Sequence, residues 1–159
     1  MLVPIIVSAV VAMVVLLVGG LATPIGPWYY ALRKPRWNPP NWLFGPMWTG
    51  IAVLCVWSAA HAWVAAPQAH ARILVLFGAN AILHMAWSPL FFALRRPDWA
   101  LVEVPFLWLS ILALIIGLAP LSVLSAWLLA PYLAWVTVAA ALNFAIVKAN
   151  APFRATRTA

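Results

Sequence analysis

Five stretches of this chain stay apolar for a membrane-crossing length. They run roughly from Leu2 to Ala22, Phe44 to Ala65, Arg72 to Leu94, Trp99 to Leu118 and Ser122 to Val147. A helix needs about 20 such residues to cross the hydrocarbon of a bilayer. No water is present there to satisfy free N–H and C=O groups, so each stretch has to be helical. The expectation is an all-α integral membrane protein, a five-transmembrane-helix bundle forming one domain over residues 1–150 with a short tail at 151–159. The breaks carry the expected punctuation: Thr23-Pro24 to Pro40, Ala66-Pro67-Gln68, Arg95-Arg96-Pro97-Asp98 and Ala119-Pro120. With 67% hydrophobic and 7% charged residues, the chain has too few charges to cover a soluble domain.

The cations sort by loop. Arg33, Lys34 and Arg36 lie in the first connection, Arg95 and Arg96 in the third, and Lys148, Arg154 and Arg157 at the end; Arg72 stands alone on the opposite side. By the positive-inside rule this places the first loop and the carboxyl terminus in the cytoplasm of an inner-membrane protein. In an outer membrane the rule would say only which loops share a side. The basic residues form no clustered, aromatic-interleaved surface, which argues against nucleic acid as a partner. The first span follows Met1 without a basic leader region, so it reads as a retained span. Cys55 is the single cysteine, so neither an internal disulfide nor a thiolate zinc site is available.

Polar side chains inside the spans are the candidates for function, because they are costly there and normally face the bundle or a cavity. Asn80, His84, Trp87 and Phe91 recur at i, i+4, i+7 and i+11, one stripe at about 100° per residue. The stripe serves equally as an interhelical hydrogen-bonding seam or as the polar floor of a pocket. Tyr132, Trp135, Ala139, Leu142 and Asn143 share a face of the fifth span, and Trp48, Ala52, Cys55 and Ala59 share one of the second. Glu103 is the one acid within a span, either a carboxylate near a helix start or a proton or substrate site. Asp98 is placed to cap that helix. His61 and His70 flank the second loop as exposed residues, and Ala113-x-x-x-Gly117 is suited to helix association.

Eleven tryptophans exceed what interfacial anchoring of five helices requires. Indole offers a flat polarizable face and an N–H, and neighbouring cations can hold carboxylates. A large, flat, amphipathic anion such as a tetrapyrrole fits that chemistry. No paired carboxylates, Ser-His-Asp set, Gly-rich phosphate loop or multi-ligand metal cluster is present, so hydrolysis is disfavoured. No cofactor is required, and no metal site is expected.

Trp28-Tyr29, Leu32, Lys34-Pro35, Trp37, Pro39-Pro40 and Trp42, followed by Gly45-Pro46 and Trp48, resemble the signature of the tryptophan-rich sensory protein and translocator protein family. The likeness continues in order through AWSPLFF (Ala86 to Phe92), WALVE (Trp99 to Glu103), PYLAW (Pro131 to Trp135) and LNF (Leu142 to Phe144). It implies a five-helix bundle, commonly a homodimer, with the first loop (23–43) folded over a pocket as a lid. It also implies binding of porphyrin or haem, in a membrane sensor or transporter-like role. Animal relatives also bind cholesterol and synthetic drugs, and some bacterial members promote light- and oxygen-dependent breakdown of protoporphyrin IX. Motif position matches Trp48 and Trp135 to the tryptophans of that photochemistry. The ligand-binding set it implies is Trp28, Tyr29, Trp37, Trp48, Asn80, His84, Trp87, Trp135, Ala139 and Leu142. Two departures stand out. His84 replaces the family's usual Asn, and can supply either a substitute hydrogen bond or an axial ligand to haem iron. Phe144 stands where the animal cholesterol pattern has Tyr.

Overall fold

A computed structural model describes residues 1–153; the expected tail from residue 154 onward, with Arg154 and Arg157, lies outside the described residues. Seven α-helices are described: α1 (Leu2–Leu21), α2 (Pro27–Ala31), α3 (Asn41–Ala65), α4 (His70–Ser88), α5 (Pro97–Leu118), α6 (Val123–Leu128) and α7 (Ala130–Asn150). Among the described residues there is no strand. Five segments are long and apolar enough to span a bilayer: α1, α3, Pro67–Ala93, α5 and Val123–Asn150. The protein is therefore an all-α, multi-pass integral membrane protein.

Helix α5 is the central post. Ala100, Val104, Leu107, Ile111, Leu114 and Leu118 are buried at alternating steps of four and three, the repeat that keeps one seam facing its neighbours. Around it pack α4, α7 and α6, while α3 lies against α1 and α6. Helix α1 has no buried residue and leans on α3 and α4 from outside. Gly117 lets α4 approach α5: a Cβ there would lie 2.7 Å from Leu76 Cδ1. The small-residue step at Gly117 is thus used within the chain, between α4 and α5.

Three departures from the expected spans have local causes. The fifth span is broken at Leu129. Pro131 has no N–H to return to the Trp127 carbonyl, so the helix must restart; Ser122 caps α6 through its Oγ, which accepts from the Ser125 N–H at 3.2 Å. The end of the third span widens into a π-helical turn over Pro89–Ala93, where the Leu94 N–H bonds to the Pro89 carbonyl at 2.9 Å. Helix α5 starts at Pro97, so Asp98 is not its cap; it sits in the first turn and pairs with Arg96 Nε at 2.8 Å, still at the end of the helix dipole that favours an anion.

Candidate functional site

Two cavities lie end to end inside the bundle. The first, about 410 Å³, sits beneath the first loop between α1, α3, α4, α5 and α7. The second, about 500 Å³, lies below it between α1, α3 and α4, towards the α3–α4 turn. Both fall in the size range of small-molecule sites. Val15, Leu16, Trp48 and His84 line both chambers and form the partition between them. The Trp48 indole meets the His84 imidazole edge to face, with centroids 4.7 Å apart.

His84 is fixed by a hydrogen-bond chain whose direction can be read from its far end. The Leu107 carbonyl can only accept, so Ser110 Oγ donates to it at 2.7 Å. Ser110 Oγ in turn accepts from Asn80 Nδ2 at 2.8 Å. Asn80 Oδ1 then accepts from the Tyr132 hydroxyl at 3.4 Å. Tyr132 has spent its one proton, so its oxygen accepts from His84 Nδ1–H at 2.9 Å. In this tautomer Nε2 is a bare acceptor on the partition, the arrangement that suits an imidazole for a donor or a metal.

Two indole donors add to this. Trp87 Nε1 and Trp135 Nε1 are enclosed and have no hydrogen-bond partner among the described residues. Trp87 lines the upper chamber; Trp135 stands behind Trp48 at 6.4 Å and against Phe44 at 5.7 Å. A buried donor left unpaired costs about 1–3 kcal/mol; at Trp87, which lines the upper chamber, a ligand acceptor would recover it.

The loop over the upper chamber is held in place. Tyr29 is buried, its hydroxyl donates to Asn41 Oδ1 at 3.2 Å, and burial holds its phenol above the ordinary pKa. The Lys34 ammonium lies 4.0 Å over the Tyr29 ring and donates to the Tyr29 carbonyl at 2.5 Å, with its pKa lowered by partial burial. Asn150 at the end of α7 clasps the loop: its Oδ1 accepts from the Arg33 N–H at 2.9 Å and its Nδ2 donates to the Arg33 carbonyl at 2.8 Å. The first loop and the end of α7 therefore share one end of the bundle. Asn150→Ala is expected to raise the release rate of a ligand beneath the loop roughly fivefold, since each net hydrogen bond is worth about 1 kcal/mol or less when exposed. Stopped-flow displacement measures it; an unchanged release rate would mean that the clasp does not hold the loop shut.

Of the ligand-binding set that the resemblance implied, Tyr29, Trp48, His84, Trp87 and Ala139 line the upper chamber, and Trp48, Asn80 and His84 the lower, where the stripe of Ala52, Cys55 and Ala59 and the Tyr132 ring join them. The others lie elsewhere. Trp28 packs edge-on against Phe91 at 6.3 Å, Trp37 is 53% exposed, Trp135 forms a second layer, and Leu142 is buried in the cluster around Tyr29. Phe91 stacks on its stripe neighbour Trp87 but is buried in the core, and Phe92 takes the chamber wall; the π turn shifts the register by one residue, and Pro89 is the mark in the sequence that could have flagged it. Phe44 and the α1 wall were missed because their side chains are uniformly apolar and carry no polar marker. Glu103 lines neither chamber, and both its carboxyl oxygens are enclosed without a hydrogen-bond partner among the described residues. His70 is not free at the surface: it stacks on Trp63 with centroids 3.6 Å apart.

Bundle and chambers together define a multi-pass helical membrane protein with a tryptophan-lined interior. Residues 6–148 match the model of the TspO/MBR family, and the chain belongs to that family. It is 36% identical over 134 residues to Protein CrtK of Rhodobacter capsulatus, covering 83% of each chain. It is 38% identical over 130 residues to the tryptophan-rich protein TspO of Archaeoglobus fulgidus, covering 82% of this chain and 84% of the relative. The Translocator protein of Homo sapiens is 32% identical over 133 residues, 82% of this chain and 79% of the relative.

Proposed function

We propose that this protein binds a tetrapyrrole, porphyrin or haem, in the chamber beneath the first loop and acts as a membrane sensor or transporter-like protein. The observation that carries the reading is the pairing of an aromatic chamber with unspent polar groups, Trp87 Nε1 and His84 Nε2. Names in the family, sensory protein and translocator protein, agree with such a role. In an inner membrane the cation distribution places the first loop towards the cytoplasm, and the resemblance supports a homodimer. The test is a titration of purified protein with protoporphyrin IX and haem, followed by Trp quenching and the Soret band. Saturable binding of both is expected, with His84→Ala weakening binding of protoporphyrin IX, whose pyrrole N–H can donate to Nε2, by roughly fivefold, the value of one hydrogen bond of about 1 kcal/mol. A loss confined to haem would instead assign His84 to the iron. Absence of saturable binding would overturn the reading.

A second reading, light- and oxygen-dependent breakdown of the bound porphyrin, has one observation in its favour. Trp48 lines both chambers and has the buried Trp135 ring 6.4 Å behind it, so an indole oxidised beside an excited porphyrin has a second indole from which to draw an electron. Illumination in oxygen should then yield a product dependent on folded protein and absent in the dark. Equal bleaching with heat-denatured protein would remove this reading.

A further inference from the structure

The lower chamber has a shape and an opening that the upper chamber's ligand does not explain. Its wall runs from Val3 to Leu16 on α1, from Trp48 to Trp63 on α3 and from Ile73 to His84 on α4. At 1.5 Å per residue these are about 20, 22 and 17 Å, so three helices give the same elongated slot. Its roughly 500 Å³ spread over such a length leaves a mean section on the order of 25 Å². An elongated slot of this form suits a hydrocarbon chain.

A tryptophan lines the slot at each end. At the α3–α4 turn, Trp63 and His70 stack at 3.6 Å, with His70 Nε2 at 3.0 Å from the Trp63 carbonyl oxygen. At the inner end stand Trp48 and His84. Along one side the slot is open. Val3, Val7 and Val11 on α1 and Leu74 and Gly78 on α4 line it and are also exposed, so they form the rims of a lateral slit between the two helices. A Cβ on Gly78 would meet no atom within 4 Å. In a bilayer that slit faces hydrocarbon.

The slot's polar groups are mostly spoken for. The Ser8 hydroxyl, on the slot wall, is already bonded to the Pro4 carbonyl at 2.6 Å, and at the inner end Asn80, Tyr132 and His84 Nδ1 are bonded within their own hydrogen-bond chain. The slot begins near the start of α1 and the end of α3, at the water boundary. It reaches inward about one leaflet, half of the roughly 30 Å hydrocarbon thickness, and slightly beyond.

We infer that the lower chamber is a binding site for one acyl chain of a bilayer lipid. The chain enters sideways between α1 and α4 from the leaflet at the α3–α4 turn, and its end rests under the Trp48–His84 partition. The headgroup stays at the interface. The inference is independent of what the upper chamber binds.

The experiment uses the full chain in nanodiscs containing phosphatidylcholine with a mid-chain diazirine. Photolysis is followed by mass-spectrometric mapping of the adducts. Adducts are expected on Ala12, Ala59 and Ala81, inside the slot. Ala59→Phe should lower that inner labelling by about tenfold or more by filling the slot, while labelling of the outward Met13 and Ile82 stays constant. If circular dichroism shows that Ala59→Phe is unfolded, Gly78→Phe plugs the slit from the rim instead. Labelling confined to outward residues, or inner labelling that survives the plug, overturns the assignment. Because the readout needs no porphyrin, failure of tetrapyrrole binding would leave it standing.

Discussion

Trp48→Ala is expected to lower protoporphyrin IX affinity by at least about tenfold, or 1.4 kcal/mol. Trp48 is the residue on which the two chambers meet. Its ring lies 4.7 Å from His84, 6.2 Å from Tyr132 and 6.4 Å from Trp135, each edge to face. Such aromatic pairs contribute about 0.5–1.5 kcal/mol apiece beyond the area they bury. Truncation removes the partition and leaves His84 and Trp135 facing one continuous void of both chambers. The ligand then loses a stacking face, and the neighbours that positioned it lose their support. Thermal stability should fall as well, by less than the roughly 3–5 kcal/mol of a fully buried tryptophan, because Trp48 is only half-buried. The control is Trp37→Ala, within the same aromatic-rich signature but 53% exposed and touching neither chamber. Both variants are titrated side by side by fluorescence quenching. Equal affinities for Trp48→Ala and Trp37→Ala would place the ligand somewhere other than the upper chamber.

The contrast between Trp48 and Trp37 also marks what the sequence can convey. Span length and apolarity were enough for the bundle, because a bilayer leaves a polypeptide few alternatives. The Asn80–His84 part of the third-span stripe keeps its register, since an uninterrupted α-helix carries the 3.6-residue period faithfully. Beyond Pro89 that period fails: the π turn sends Phe91 into the core and Phe92 to the chamber. Pro131 likewise splits a span that hydropathy reads as continuous. The loop over the upper chamber came from the resemblance, but which of its rings faces inward was not legible: the five-residue helix α2 buries Tyr29, while Trp37, beyond it, stays exposed. Least legible was α1, which supplies a wall to both chambers with valines and leucines indistinguishable from those that face lipid. Periodicity reports a polar face; it does not report which apolar face is empty.

Asn143→Leu is expected to destabilise the bundle by about 2 kcal/mol, the largest effect foreseen for a residue that lines neither chamber. Asn143 is 1% exposed on α7. With its amide oriented to satisfy both neighbours, it donates to the Pro97 carbonyl at 3.1 Å and accepts from the Leu101 N–H at 3.0 Å. One side chain thereby joins α7 to the first turn of α5 by two hydrogen bonds in a region without water. An interhelical hydrogen bond in a membrane is worth roughly 0.6–2 kcal/mol; each backbone group left unpaired adds a penalty of about 1–3 kcal/mol. Direct bonding between Leu101 N–H and the Pro97 carbonyl recovers part of that, which keeps the figure at the lower end. The consequence reaches the site because α7 carries Tyr132, Val136 and Ala139 to the chamber walls, while α5 carries Val104 and Leu107. Loosening the α5–α7 joint lets those two walls slide, so affinity should fall together with the melting temperature. Thermal unfolding in detergent and porphyrin titration of the same preparation test the two effects. A melting temperature equal to that of the wild type would show that Asn143 does not hold α5 and α7 together.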